Sequence, residues 1–210
     1  MKLSDELKKA LKALPEAEKD KLIVKLLRSN SKQAKILDFE LVDTDTVEEK
    51  RQNVYEEIDE ALQKYAAAST TSMAYLLMLM KSLSGRISEH VTITKDLEGE
   101  ILLNCHLLKQ SLAFFQQAIA LQSYAKAYPV CIYVVARIFK IMLLIQKQHE
   151  DLHIEFKQPL VDVATEMAQS HYTMMTAIRN GLDINWLMDF DLPANLIQIH
   201  KDLRAGGFLR

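Results

Sequence analysis

The hydrophobic positions of this 210-residue chain recur with a helical period along most of its length. Leu3, Leu7, Leu11 and Leu14 share one face, which predicts a helix over residues 5–14 with Ser4 as its N-cap. Pro15 ends that helix and suits the first turn of a second. The second runs to residue 28 with Leu22, Ile23, Leu26 and Leu27 facing inward, and a short helix or turn covers 31–39. Thr46 and Glu49 stand at capping-box spacing and open a long helix with the stripe Val47, Val54, Ile58, Leu62 and Tyr65. A bend or break is expected across residues 66–72. Residues 73–90, beginning MAYLLMLM, are apolar almost all round and read as a central helix.

Thr94 is the expected cap of the next helix, which runs to residue 127 along Leu97, Ile101, Leu108, Leu112, Phe115 and Ile119. Tyr128-Pro129 separates it from a helix over 130–157. Pro159 starts another over 160–179, stopped by Asn180-Gly181 as a left-handed C-cap. Two short helices, 183–189 and 193–204, precede the tail AGGFLR. The expected fold is all-α: an antiparallel helical array, bundle or short α-solenoid of about seven to nine helices. Segments 73–90 and 97–127 are expected at its centre.

Composition supports this reading. Five Gly and four Pro are too few for the tight turns of a strand-rich protein, and 49% hydrophobic residues are enough to build a core. Net charge is −2 but unevenly spread. Residues 1–35 hold ten Lys/Arg against five Asp/Glu, whereas residues 36–65 hold three against ten. The division expected is a small basic N-terminal helical segment, 1–45, and a main helical domain, 46–210, with one continuous domain as the alternative. Cys105 and Cys131 lie in apolar helical surroundings and read as buried thiols in a reducing compartment. The opening MKLSDELKKALKAL is charged and amphipathic, unlike a signal peptide. The longest apolar run, 130–145, is interrupted by Arg137 and Lys140 and falls short of the ~20 residues a membrane span needs. A cytoplasmic location is expected, with no membrane partner.

One stretch carries a chemical motif. His149-Glu150-Asp151-Leu152-His153 matches H-E-x-x-H, which on a helix sets two imidazoles on one face for Zn, with the glutamate as general base. On that reading His149 and His153 are metal ligands and Glu150 is catalytic. Chance alone produces the pattern in roughly one sequence in a hundred of this composition. Asp151 stands where zinc peptidases carry an apolar residue, no sheet is predicted beside the motif, and Glu150 falls opposite the apolar stripe. Asp162, Glu166 and His171 each miss either the height or the face of a third ligand. The second E-x-x-H of a di-iron bundle is absent. His171 reads as a core histidine and Trp186 as a packing anchor.

The segment ELKKALKALPEAEKDKLIVKLL followed by KQAKILDFELV resembles the start of an uncharacterised family of small bacterial all-helical proteins. The resemblance covers about a fifth of the chain and implies a helical fold with no assigned activity. The same stretch is similar to the SAP-type DNA-binding hairpin, without that motif's glycines. The leading expectation is a binding or scaffold protein without catalysis, acting on a protein partner or on itself, with no cofactor. Met73–Met80, Met174-Met175 and Phe208-Leu209 are its candidate contact surfaces. The first alternative is the metal-dependent hydrolase. The second is docking of the basic hairpin, through Lys8, Lys9, Lys12, Lys19, Lys21, Lys25 and Arg28, on nucleic acid or another polyanion.

Overall fold

The computed structural model describes residues 3–67 and 72–210, with eleven α-helices and no strand among them. The chain divides into two compact units, Met1–Asp45 and Thr46–Arg210. The expected bend near residues 66–72 falls partly on 68–71, outside the described residues.

The first unit contains α1 (Asp5–Ala13), α2 (Glu16–Ser29) and α3 (Ser31–Leu41). Ser4 caps α1 as expected, accepting from the Leu7 N–H at 3.2 Å, and Asn30 caps α3 in the same way through Gln33. Lys19 Nζ ties α2 to the end of α1 by donating to the Lys12 carbonyl at 3.1 Å. Leu11, Leu14, Leu22, Leu27, Ile36 and Leu37 are half-buried, and no described residue of these helices is fully buried.

The second unit contains α4 (Val47–Ala66), α5 (Met73–Thr94), α6 (Leu97–Ala120), α7 (Tyr124–Ile145), α8 (His153–Ala168), α9 (His171–Arg179), α10 (Asn185–Met188) and α11 (Leu196–Ala205). Helices α4, α6 and α8 pack side by side, as do α5, α7 and α9, and α4 also packs on α5, α5 on α6, α6 on α7 and α8 on α9. This is the two-layer pairing of a short α-solenoid built from three hairpins. Cross-links along the first layer rise in register: Arg51 meets Asp96, Asp59 meets His106, and Tyr65 meets Phe115, so α4 and α6 run parallel. Short α10 packs on α8. Along α7 lies α11, running the other way: Gln146 bonds the Pro193 carbonyl, and the His200 ring sits 5.7 Å from that of Phe139.

The capping box of α4 forms in full, with Thr46 Oγ1 accepting from Glu49 N and Glu49 Oε2 from Thr46 N. Val54, Ile58, Leu62 and Tyr65 are buried beneath it. Eleven residues each are buried on α6 and α7, against eight on α5, so the centre lies one helix further along than the sequence suggests. The cause is visible in MAYLLMLM: Met73, Leu76 and Met80 face inward, while Tyr75 and Met78 face outward. Helix α7 is long and apolar enough to cross a bilayer, but more than half of its most apolar stretch is buried inside the unit.

Four helix boundaries differ from expectation. The break near Tyr128-Pro129 lies instead at residues 121–123, and Pro129 sits in the second turn of α7. The expected helix over 130–157 stops at Ile145, and α8 begins at His153 with Pro159 in its second turn. Near a helix start a proline removes a single bond, here to the carbonyls of Ala125 and Glu155, and both residues are exposed. The helix expected over 160–179 is two, separated at residues 169–170. Thr94 is the last residue of α5; Asp96 is the cap of α6.

Candidate functional site

A largely buried charged cluster binds α4 to the α5–α6 turn. Asp96 accepts from Arg51 through both carboxylate oxygens, each at 2.7 Å, from the Gly99 N–H at 2.8 Å, and lies 2.9 Å from His90 Nε2. Its side chain is 3% exposed. Burial alone pushes its carboxyl up, but the hydrogen bonds from His90, Arg51 and Gly99, with the Arg51 charge, outweigh that and hold it far below the usual carboxylate range. Next to it the Tyr55 hydroxyl is pushed up to about 12 by burial, and the Tyr55 ring meets His106 edge-on, 4.8 Å away. His106 in turn contacts Asp59 at 2.6 Å. Cys105 behind them is buried, and its thiol is pushed up to about 12 by burial and by the Asp162 charge. Through Arg51 and His90, Asp96 ties α4 and the end of α5 to the start of α6.

The H-E-x-x-H residues do not lie on one helix. His149 is an extended residue in the α7–α8 connection, Glu150–Leu152 form a single 3₁₀ turn, and His153 begins α8. The His149 ring is 76% exposed and leans on Asp151 at 3.3 Å. His153 Nε2 lies 3.3 Å from the Gln148 carbonyl. Glu150 is exposed, and Asp162 is committed to Lys109 at 2.7 Å. The continuous helix the motif presupposes is therefore absent. Among the described residues no three His, Cys, Asp or Glu side chains gather as a metal site.

A different surface converges at the junction of α6, α7 and α9. His171, Tyr172, Tyr124 and Tyr128 form an unbroken series of ring contacts, with centroids 5.8, 5.5 and 5.7 Å apart. The tyrosine hydroxyls are engaged: Tyr172 donates to the Gln122 carbonyl, Tyr124 bonds Thr176 Oγ1, and Tyr128 lies 3.4 Å from the Arg210 carbonyl. Such pinning holds the rings in place before any partner arrives. On one side is a hollow of about 230 Å³ between Ile119 and Tyr172. On the other is an open hollow of about 570 Å³ lined by Tyr124, Tyr128, Arg179, Asn180 and Phe208. The Arg179 guanidinium stands 5.3 Å over the Tyr124 ring.

Two helix ends build the wall of the larger hollow. Gly181, at φ 70°, closes α9 in a Schellman motif: Leu182 N bonds Ala177 O and Gly181 N bonds Ile178 O. The Asn180-Gly181 stop thus forms as expected. Gly207, at φ 84°, closes α11 in the same way, with Phe208 N bonding Leu203 O. Leu209 N then donates to Asn180 Oδ1 at 2.9 Å, which seats Leu209 in the core and leaves Phe208 44% exposed at the rim.

Of the expected contact surfaces, Phe208 belongs to this site and Leu209 does not. Met73 and Met80 are buried, and Met174 and Met175 are half-buried. His171, expected in the core, is exposed at the end of the ring series, whereas Trp186 packs against the core. Tyr124, Tyr128, Tyr172 and Arg179 were not singled out by sequence pattern. The signal available was the i, i+4 spacing of Tyr124 and Tyr128, legible only once a helix is known to start at Tyr124. No family model matches the chain, and no curated protein or solved structure shows significant similarity to it.

Proposed function

We propose that this chain is a helical binding scaffold without catalytic activity, recruiting a protein partner or a second copy of itself. The observation that carries the reading is the pinned series His171–Tyr172–Tyr124–Tyr128 with Arg179 beside it, between two hollows. Tyrosine and arginine are the residues that dominate binding energy at protein interfaces, and rigid rings lose little entropy on contact. Several ion pairs support the same reading, because they are spent on joining segments of the fold: Arg51 and His90 on Asp96, Lys109 on Asp162, Lys140 on Glu100. The test compares the wild type with Tyr128→Ala. Light scattering across a concentration range reports self-association, and affinity capture reports a partner. A complex seen with the wild type and lost in the variant supports the reading. A strict monomer that retains no partner counts against it.

The basic first unit supplies a second reading, a polyanion contact. Lys9, Lys12, Lys25, Arg28 and Lys32 carry no carboxylate partner among the described residues, while Lys8 and Lys21 are paired with Asp5 and Glu18. Binding to duplex DNA or RNA that falls steeply with salt and is abolished by Lys9→Glu with Lys12→Glu would support it. Absence of any mobility shift at low salt would reject it.

A further inference from the structure

We infer that the hollow lined by Tyr124, Tyr128, Arg179 and Phe208 receives an extended acidic peptide segment, with a carboxylate against Arg179 and an adjacent apolar side chain between Tyr128 and Phe208. The inference rests on the scaffold reading and names the chemistry of its partner.

Charge sets the first requirement. Among the described residues, Arg179 is the sole ionisable cation lining the larger hollow, and no Asp or Glu lines either hollow. Stacked over Tyr124, its guanidinium makes no hydrogen bond or ion pair with a described residue, so its N–H fork is open to a planar carboxylate. Arg204, held on the Leu209 carbonyl next to Phe208, adds a second cation to this wall.

The backbone sets the second. Pro129 has no N–H, so Ala125, a residue that lines the hollow, has a carbonyl without its regular helical donor. An extended chain carries free main-chain N–H groups to offer such an acceptor, whereas a helical peptide has already spent its own.

The ring geometry decides between a peptide and a single nucleic-acid strand. Successive rings are inclined at 51°, 54° and 66°, and Arg179 already covers Tyr124. Stacked bases need open, flat ring faces, which this arrangement does not present. Ring edges with hollows between them suit aliphatic side chains instead. The wall at Phe208 is fixed by the Gly207 cap and the Leu209–Asn180 bond, so the hollow exists before it is filled.

Fluorescence anisotropy on the full chain tests the inference, using labelled peptides of Leu, Pro and Glu, the matching peptides of Leu, Pro and Lys, and oligo(dT). Proline keeps the peptides extended. The Glu peptides should bind at least about tenfold more tightly than the Lys peptides or oligo(dT). Arg179→Ala should erase that preference and Arg179→Glu should reverse it. Arg179 is exposed, so both variants should melt as the wild type does. Lys81→Glu, the same charge change on exposed α5 surface, should leave binding unchanged. Equal binding of both peptide classes, no binding of the Glu peptides, unchanged preference in Arg179→Glu, or tightest binding to oligo(dT) each overturns the inference. A self-complex or captured partner that survives Arg179→Glu would sink this inference and leave the scaffold reading standing.

Discussion

Gly99 shows how much can hang on one missing side chain. It is the third residue of α6, where alanine ordinarily stabilises a helix by about 1 kcal/mol over glycine. Here a Cβ would collide with the Asp96 carboxylate and come within 2.7 Å of Arg51 Nε. Gly99→Ala should therefore destabilise by about 1–3 kcal/mol, measured by denaturant unfolding, through displacement of the bidentate pair. A gain in stability would show that the Asp96 cluster is not the pin described. Asp96 itself should report on pH. Its folded pKa lies far below the unfolded value of about 3.9, so its contribution is complete above that value and is lost as pH falls toward the folded pKa. Asp96→Asn should cost about 3 kcal/mol at neutral pH by leaving Arg51 unpaired, and the loss should shrink as both proteins are acidified. A mutational penalty that is constant from neutral to strongly acid pH would contradict this.

At the scale of elements, helix starts and stops with a side-chain or glycine mechanism were legible. Ser4, the Thr46–Glu49 box and Asn180-Gly181 each act where sequence pattern puts them. The stops without such a mechanism were not. Residues 121–123 contain no Gly or Pro, and Ser123 makes no side-chain cap, so the apolar periodicity reads straight through. Pro129 and Pro159 misled in the opposite direction, because a proline in the second turn marks a helix already begun, whereas Pro15 stands at the start of α2 as expected. The same error carried the H-E-x-x-H residues onto a helix, since the 130–157 stripe hid the turn at residues 146–152. With His149 exposed in that turn, His149→Ala should leave thermal stability and stoichiometric metal content unchanged. Elemental analysis and a melting curve with and without chelator check this. Zinc bound one to one and lost in the variant would revive the hydrolase reading.

For the whole molecule, fold class could be read from periodicity and the scarcity of turn residues, while the candidate site could not. The ring series draws on α7 and α9, and its wall on the tail after α11, so no local window of sequence contains it. Stability is as unevenly distributed as function. Every fully buried residue among those described lies in Thr46–Arg210, and the interhelix pins at Asp96, Asp162 and Glu100 are there too. The first unit, with half-buried leucines and no buried residue among those described, lacks the apolar area that an independent fold of this size needs. A fragment covering 46–210 should therefore keep a single cooperative thermal transition and the helical circular dichroism expected for its length, whereas a fragment covering 1–45 should melt without a sharp transition. Amide hydrogen exchange on the full chain gives the same test without truncation. Protection should concentrate in α6 and α7 and be weak throughout α1–α3. Comparable protection in both units would mean that the first is held by contacts beyond its own half-buried leucines, and the expectation of two unequal units would fall.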